Sequence, residues 1–453
     1  MEKCTNLKIS ANGRFIIKED GSPFFWLADT AWELFHRLTR EEAVEYLATR
    51  AAQNFTVIQT VMLPEFDGLT VPNPYGRTPL LKNQNGGFDP EIPDLEPMKD
   101  GYTFWHHIDF IISAAYSLGL YIGMLPTWGD KFNLKWGKRP QIFTPENAYT
   151  YGKWVGGRYK DRCNIVWIMG GDRPIENNTH RQIVNNMAKG IKESTGGRHL
   201  MTFHPCGGAS SSGFIQNEPW LDFNMLQSGH HFINMKNHEL IQKDYALTPV
   251  RPVLDGEPRY EDTLINIKPN ADDGFFDDFD ARLTAYWAVL SGACGHTYGH
   301  HSVWSFYKGG QDYSEYFPPG YFIIDWRSAL HRPGAGQMRH LKALLTSRPF
   351  LELIPCQEML AENYSGANRI AAARGKKHAF IYIPNGLQVK VMMGILDGSA
   401  VIAYWFDPRK GEYIFSGLMK NEGVITFSPP SGGRANDWIL VLDVTEINLG
   451  GPP

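Results

Sequence analysis

The sequence has little cysteine, no excess of either charge and no long apolar run, and each shortage closes off a class of protein. Its five cysteines, Cys4, Cys163, Cys206, Cys294 and Cys356, are odd in number, widely spaced and without a Cys-x-x-Cys pair. That pattern fits buried free thiols better than a disulfide framework, a zinc ribbon or a dithiol redox centre. Lys and Arg number 44 against 48 Asp and Glu, a net charge of -4, so nucleic acid is not an expected partner. No apolar stretch is long enough for a membrane span, and the opening MEKCTNLKIS has no apolar signal core. The expected location is the periplasm or the exterior if a signal was removed ahead of residue 1, and otherwise the cytoplasm. His-x-His, His-Glu-x-x-His and Gly-x-Ser-x-Gly are all missing, so no metal, no other cofactor and no serine elbow is expected. No feature specifies an oligomeric state.

What the chain does have is a recurring unit. Short apolar runs that end in polar or Gly residues fall at 24–30, 55–63, 121–129, 164–172, 199–206, 222–230, 252–260 and 295–304. Between them lie helical patterns such as TREEAVEYLATRAAQN, which opens on a Thr39-x-x-Glu42 capping box. Eight runs that are apolar throughout, each followed by a helix, predict a parallel sheet covered on its outside. Closed on itself, this is an α/β fold of the (β/α)8 TIM-barrel type, expected over residues 1–349. The loop at 64–102 is long and carries Phe66, Tyr75, Phe88 and Tyr102, which predicts an ordered lid. From 350 to 453 the runs are short, alternating and separated by turn residues, the pattern of a smaller all-β sandwich domain.

Barrels of this kind carry their chemistry past the C-terminal ends of the strands. The ends here hold Asp29 and Trp32, Gln59, Trp128 and Asp130, Asp172 and Arg173, His204, Gln227 with His230 and His231, Asp255 with Glu257 and Tyr260, and Tyr298 with His300 and Trp304. Asp172 follows the fourth run and Glu257 the seventh, so the two carboxylates can flank a ligand from opposite sides. Cleavage of a glycosidic bond needs such a pair, one acid to protonate the departing oxygen and one carboxylate to attack or to activate water. Asp29, Trp32, Gln59, Trp128, Arg173, His204, Gln227, His230, Tyr260, His300 and Trp304 are the expected substrate contacts, since aromatic rings stack on sugars and polar groups bond hydroxyls. Gly170 and Gly171 are expected to leave room beside the substrate. Asp255, two residues before Glu257, points to the same side one layer deeper, as support for the site or as a structural carboxylate. Competing roles are a helix cap or an Arg173 pair for Asp172, and an ion pair with Arg259 or Arg251 for Glu257.

The segments NGRFIIKEDGSPFFWLADTAWELFHRLTREEAVEYLATRAAQNFTVIQ, WIMGGDRP, DGEPRYE and WFDPRKGEY together resemble glycoside hydrolase family 140 and related bacterial glycanases. The resemblance implies a catalytic barrel joined to a C-terminal β-sandwich that carries a collagen-binding label. It implies a retaining mechanism with Asp172 as acid/base and Glu257 as nucleophile, acting on apiose-linked side chains of a pectic polysaccharide. Where the wider clan has Asn-Glu after the fourth strand, this chain has Gly-Asp. The partner so implied is an oligosaccharide or polysaccharide. Two other classes compete: a carbohydrate-binding barrel without catalysis, and a metal-dependent hydrolase built on the histidines.

Overall fold

The computed structural model describes residues 4–96, 101–137, 140–230, 233, 235–266, 271–310, 317 and 320–445. His231 lies outside them. All eight expected runs contain a strand: β1 Trp26–Thr30, β2 Val57–Val61, β3 Tyr121–Leu125, β4 Ile165–Gly170, β5 Met201–His204, β6 Asn224–Gln227, β7 Val253–Asp255 and β8 Gly295–Tyr298. Each is buried along its whole length, which is why these strands read as continuous apolar runs. Six of them form one parallel sheet in the order β8-β1-β2-β3-β4-β5, and β6 pairs in parallel with β7. A two-residue strand, Ala209–Ser210, pairs antiparallel with β6 and interrupts the ladder on the side of β5. Backbone bonds cross the two joints, from Asp222 N to Met201 O at 2.9 Å on the β5 side, and on the β8 side from Cys294 N to Val253 O at 2.9 Å and again past the strand ends through a parallel Glu261–His300 bridge. The result is a curled parallel sheet inside a coat of helices, a TIM-like fold.

The coat follows local signals. Helices α1 Arg40–Ala52, α2 Phe104–Ser117, α3 Pro145–Tyr159, α4 Asn178–Thr195, α5 Asn237–Tyr245, α6 Asp278–Leu290 and α7 Pro333–Thr346 lie between and after the strands. In α1 the Thr39 side chain accepts from Glu42 N and the Glu42 side chain accepts from Thr39 N, closing the predicted capping box. Among the described residues no helix is long and apolar enough to cross a membrane. All five cysteines are free thiols, with Cys4, Cys294 and Cys356 buried. The expected lid contains a small hairpin, Leu80–Lys82 with Phe88–Pro93. Its Tyr75 packs on Tyr102 and His107 at the start of α2, while Val71 O meets His36 in the segment after β1 at 2.8 Å.

The C-terminal part is an antiparallel β-sheet domain. Its strands are β9 Ile354–Pro355, β10 Ala371–Arg374, β11 His378–Ile383, β12 Val389–Met392, β13 Ala400–Asp407, β14 Glu412–Lys420, β15 Val424–Phe427 and β16 Trp438–Thr445. Six form a sheet in the order β9-β10-β11-β16-β13-β14, and β12 with β15 forms a separate pair. The two-residue period decides what each face covers. Ile381, Ile383, Trp405, Leu440 and Leu442 pack on Val389, Val391 and Phe427 of the pair. Phe380, Tyr382, Phe406, Ile439 and Val441 face the other way and join the core of the helical domain.

A buried fork pins this junction. Arg282 of α6 gives Nε and Nη2 to Asp437 at 2.9 and 2.8 Å, and Nη1 to Gln337 at 2.6 Å. Beside it Tyr286 stacks on Tyr382 with ring centres 4.8 Å apart. Both partners of the ion pair are sealed from solvent, and while Arg282 also meets Asp278, removing Arg282 leaves the buried Asp437 charge without a cation. Arg282→Ala is predicted to destabilise the fold by about 3–5 kcal/mol. A fall in the urea midpoint at unchanged protein concentration checks this, and a midpoint within error of the parent would overturn it.

Candidate active site

The end of β4 is shaped by three consecutive residues with left-handed backbone, Gly170, Gly171 and Asp172, at φ 88°, 113° and 55°. A Cβ at Gly170 would meet His204 O at 2.5 Å and the Phe203 ring at 2.6 Å, and one at Gly171 would meet the Trp128 ring at 2.8 Å. The space beside these glycines is therefore filled by protein, which corrects the expectation that it was cleared for substrate. The turn delivers the Asp172 N–H to Nδ1 of His204 at 3.4 Å.

His204, the last residue of β5, is fully buried between two tryptophans. Trp32 meets it edge-on at 5.4 Å and Trp128 lies tilted at 5.9 Å. With Nδ1 accepting from Asp172, the ring proton sits on Nε2, which stands 2.9 Å from Oε2 of Glu257 in a close but poorly aligned contact. Trp32 and Trp128 thus pack the imidazole, where substrate stacking was expected of them.

Glu257 is held from several sides. Gln59 Nε2 donates to Gly256 O at 2.9 Å, and Glu257 O accepts from Gly229 N at 2.8 Å. His230 Nδ1 lies 3.9 Å from Oε1, and the His230 ring stacks on Tyr260 at 4.7 Å. The Tyr260 hydroxyl sits among Glu257, Thr30 and Trp32. Burial works to raise the Glu257 pKa, but His204, His230 and Tyr260 outweigh it and hold the carboxyl below its ordinary range. One layer down, Asp255 accepts from Ser228 N, Ser228 Oγ and Asn237 Nδ2, and burial pushes it up to about 6. Neither arginine named as a competing partner for Glu257 takes that role. Arg259 donates to Ile233 O and Met235 O, and Arg251 to Gln216 O.

Asp172 has the opposite tendency. Burial first, and then the negative charge of Glu257, push its carboxyl up to about 6, against the pull of Arg173, His204 and a bond from Gln227. Its side chain still keeps 33% of its surface open, whereas Glu257 keeps 6%. Arg173 forks between two acids, Nη1 to Asp172 Oδ2 at 3.0 Å and Nη2 to Glu65 Oε1 at 2.6 Å. The helix cap suggested for Asp172 is made by Asn177. Burial also drives Glu65 up to about 7, with Arg173 opposing. Glu65 escaped the sequence reading because it lies four residues past the end of β2, inside the presumed lid, although a carboxylate beyond a strand end was the available signal.

Two expected substrate contacts turn elsewhere. Asp29 is wholly buried and accepts from Tyr46 Oη and Arg50 Nε, both at 2.6 Å, so it faces α1 and locks that helix to β1. His300 is buried against Asp262 at 3.1 Å, and Arg332 clamps the same carboxylate at 2.7 Å. Trp304 stays partly open in an aromatic group with Phe66, Phe317 and Phe322, next to the Glu65 turn. Among the described residues no three His, Cys, Asp or Glu side chains group as a metal site. A cleft of about 340 Å³ between α6 and residues 365–369 contains neither carboxyl of the pair.

A curled parallel sheet that gathers carboxyls and aromatic rings at its C-terminal end is the ground plan of a glycoside hydrolase, and the comparisons place the chain in that class. A solved structure described as a glycoside hydrolase shares 32% identity, covers 98% of both chains and superposes with a TM-score of 0.85. A glycoside hydrolase family 5 structure from Bacteroides vulgatus ATCC 8482 shares 30% identity over 97% of this chain and 94% of its own, with a TM-score of 0.87. The chain belongs to the family described as "Apiosidase-like, catalytic domain", whose model matches residues 10–352. Residues 354–443 match a model described as "Putative collagen-binding domain of a collagenase". No curated protein matches the chain.

Because His204 helps to hold Glu257 ionised, His204→Phe is predicted to move the acidic limb of the kcat/KM profile upward. Its rate should fall on the order of 10²-fold. A pH–rate profile checks this, and an unmoved acidic limb would show that the imidazole does not govern Glu257.

Proposed function

We propose that the enzyme is a retaining glycoside hydrolase that releases apiose-linked side chains from a pectic glycan, with Asp172 as acid/base and Glu257 as nucleophile. In this reading the two parallel sheets are one closed (β/α)8 barrel within residues 1–349, and residues 350–453 are a sandwich that braces it. The observation that carries the mechanism is the placement of two carboxyls past the ends of β4 and β7, one partly open and one enclosed, both joined to the buried His204, and the pKa split runs the same way, one raised and one lowered. Such a split assigns the acid and the base. The "Apiosidase-like" family description and the motifs shared with family 140 support the sugar.

The chemistry follows from the split. Asp172, protonated below about pH 6, gives its proton to the departing glycosidic oxygen while ionised Glu257 attacks the anomeric carbon. Forming the glycosyl ester cancels the Glu257 charge. That charge is the largest electrostatic push on Asp172, so the Asp172 pKa falls and the carboxylate becomes a base. It then takes a proton from water, which attacks the ester and frees the sugar with its configuration retained. His204 and Tyr260 hold the nucleophile, and Gln227 with Arg173 steadies Asp172. His230 and Trp304, the partly open members of the set, meet the sugar.

The test is incubation with apiose-containing pectic oligosaccharides, with mass analysis of the products and NMR of the first anomer formed. Release of apiose with retained configuration is expected; inversion or an unchanged substrate would overturn the reading. Asp172→Asn should lower kcat by about 10² to 10⁴ and Glu257→Gln, which removes the nucleophile, by at least as much, each with an unchanged melting temperature. Full activity in either variant would remove that residue from the mechanism.

The pH dependence follows with a fixed sign. Asp172 must be protonated, so activity falls as pH rises through about 6. Glu257 must be ionised and is held low, so the acidic limb lies below the ordinary Glu value of about 4.3. A bell-shaped kcat/KM profile centred below neutrality checks both limbs together.

A further inference from the structure

Trp136 is the most exposed of the large apolar side chains among the described residues, at 67%. It also has a left-handed backbone, φ 62°, a conformation that a bulky residue adopts only at a cost in strain. Neither property serves the core. Yet the turn that carries it is firmly built. Asn133 Nδ2 donates to Pro174 O at 3.0 Å and to Glu176 Oε2 at 3.1 Å, and Lys135 Nζ donates to Glu176 Oε1 at 2.5 Å. Gly137 N closes the turn on Leu134 O at 2.8 Å. A Cβ at Gly137 would lie 3.5 Å from Asp130 and 3.8 Å from Nη2 of Arg173. The turn is thus tied to the very segment that follows Asp172.

The position of the indole is the informative part. Its ring centre lies 5.8 Å from Cζ of Arg173, whose Nη1 is bonded to Asp172. One guanidinium therefore separates an open aromatic face from the proposed acid/base. The cations beside the indole are already engaged by protein, Arg173 with Asp172 and Glu65, and Lys135 with Glu176 and, at 5.0 Å, with the indole ring itself, so what the surface offers a ligand is a flat and largely open apolar ring. An acid/base delivers its proton to the leaving oxygen, so a binding surface on its side meets the part of the glycan that departs.

We infer that Trp136 is the stacking platform of a leaving-group subsite, which takes the C–H face of the sugar ring joined to the glycosidic oxygen that Asp172 protonates. The inference rests on the proposed role of Asp172. The cost of the left-handed backbone is met in folding, by the hydrogen bonds that hold the turn, and the exposed indole that it presents is then available to the sugar.

The test compares two substrates of one released sugar, an apiose-containing pectic oligosaccharide and apiosyl fluoride, whose leaving group has no ring to stack. Trp136→Ala should raise KM for the oligosaccharide about tenfold and lower the ratio of kcat/KM for oligosaccharide over fluoride by about tenfold. Trp136→Phe, which keeps a ring, should hold that ratio within about threefold of the parent. An unchanged ratio in the alanine variant would overturn the subsite, because a purely structural role would harm both substrates alike. If the parent hydrolyses the fluoride but the alanine variant leaves the oligosaccharide KM unmoved, the subsite falls while the hydrolase reading stands. If the parent hydrolyses neither, the reading of the function falls and the subsite with it.

Discussion

The imidazole of His204 is where strands β4, β5 and β7 are brought into agreement. It reaches the backbone N–H of Asp172 with one nitrogen and the carboxylate of Glu257 with the other, so two acids that are 85 residues apart in sequence share one buried ring. Much else at this end of the sheet can be read as making that contact possible. Gly170 and Gly171 carry no Cβ because His204, Phe203 and Trp128 already occupy the space. Trp32 and Trp128 fix the plane of the ring, and Gln59 holds the backbone on which Glu257 rides. A buried polar network of this kind is stable only when its members are positioned together.

The elements were largely legible in the sequence, and the reason is physical. Continuous apolar runs mark strands buried on both faces, and the Thr39 to Glu42 box marks a helix start, so all eight parallel strands and the first helix could be located. The same full burial hides which way a strand residue points. Every residue of Trp26–Thr30 is buried, so hydropathy alone does not tell whether Asp29 turns to the substrate or to the helices. What decides it is Arg50, 21 residues later on α1, a partner visible only once the helix has docked. His300 was misplaced for the same reason, its partner Asp262 lying in a loop with no strand signal. The two-residue strand at Ala209–Ser210 is too short to leave any periodicity, and Glu65 and Trp136 lie in segments whose irregular backbone carries no pattern to read.

The C-terminal domain is bound to the helical one as one layer to the next. The inner strands of its six-stranded sheet are covered on one face by the β12 and β15 pair and on the other by the helical domain, while the edge strand β14 stays exposed. Replacing the Arg282 to Asp437 fork with apolar side chains of similar volume would satisfy burial equally well. The fork does what apolar packing cannot, fixing the angle at which the sheet meets the helix through two parallel bonds.

The left-handed backbone at Asp172 bears on which acid this position can hold. Among residues with side chains, Asp and Asn enter that region most readily, because a short polar group can bond locally, whereas a longer acid gains no such compensation. The turn of Gly170, Gly171 and Asp172 and the presence of aspartate rather than glutamate are therefore coupled through the backbone. Placing glutamate at position 172 would ask the loop to take another path as well, so the length of the acid and the course of the backbone are set together.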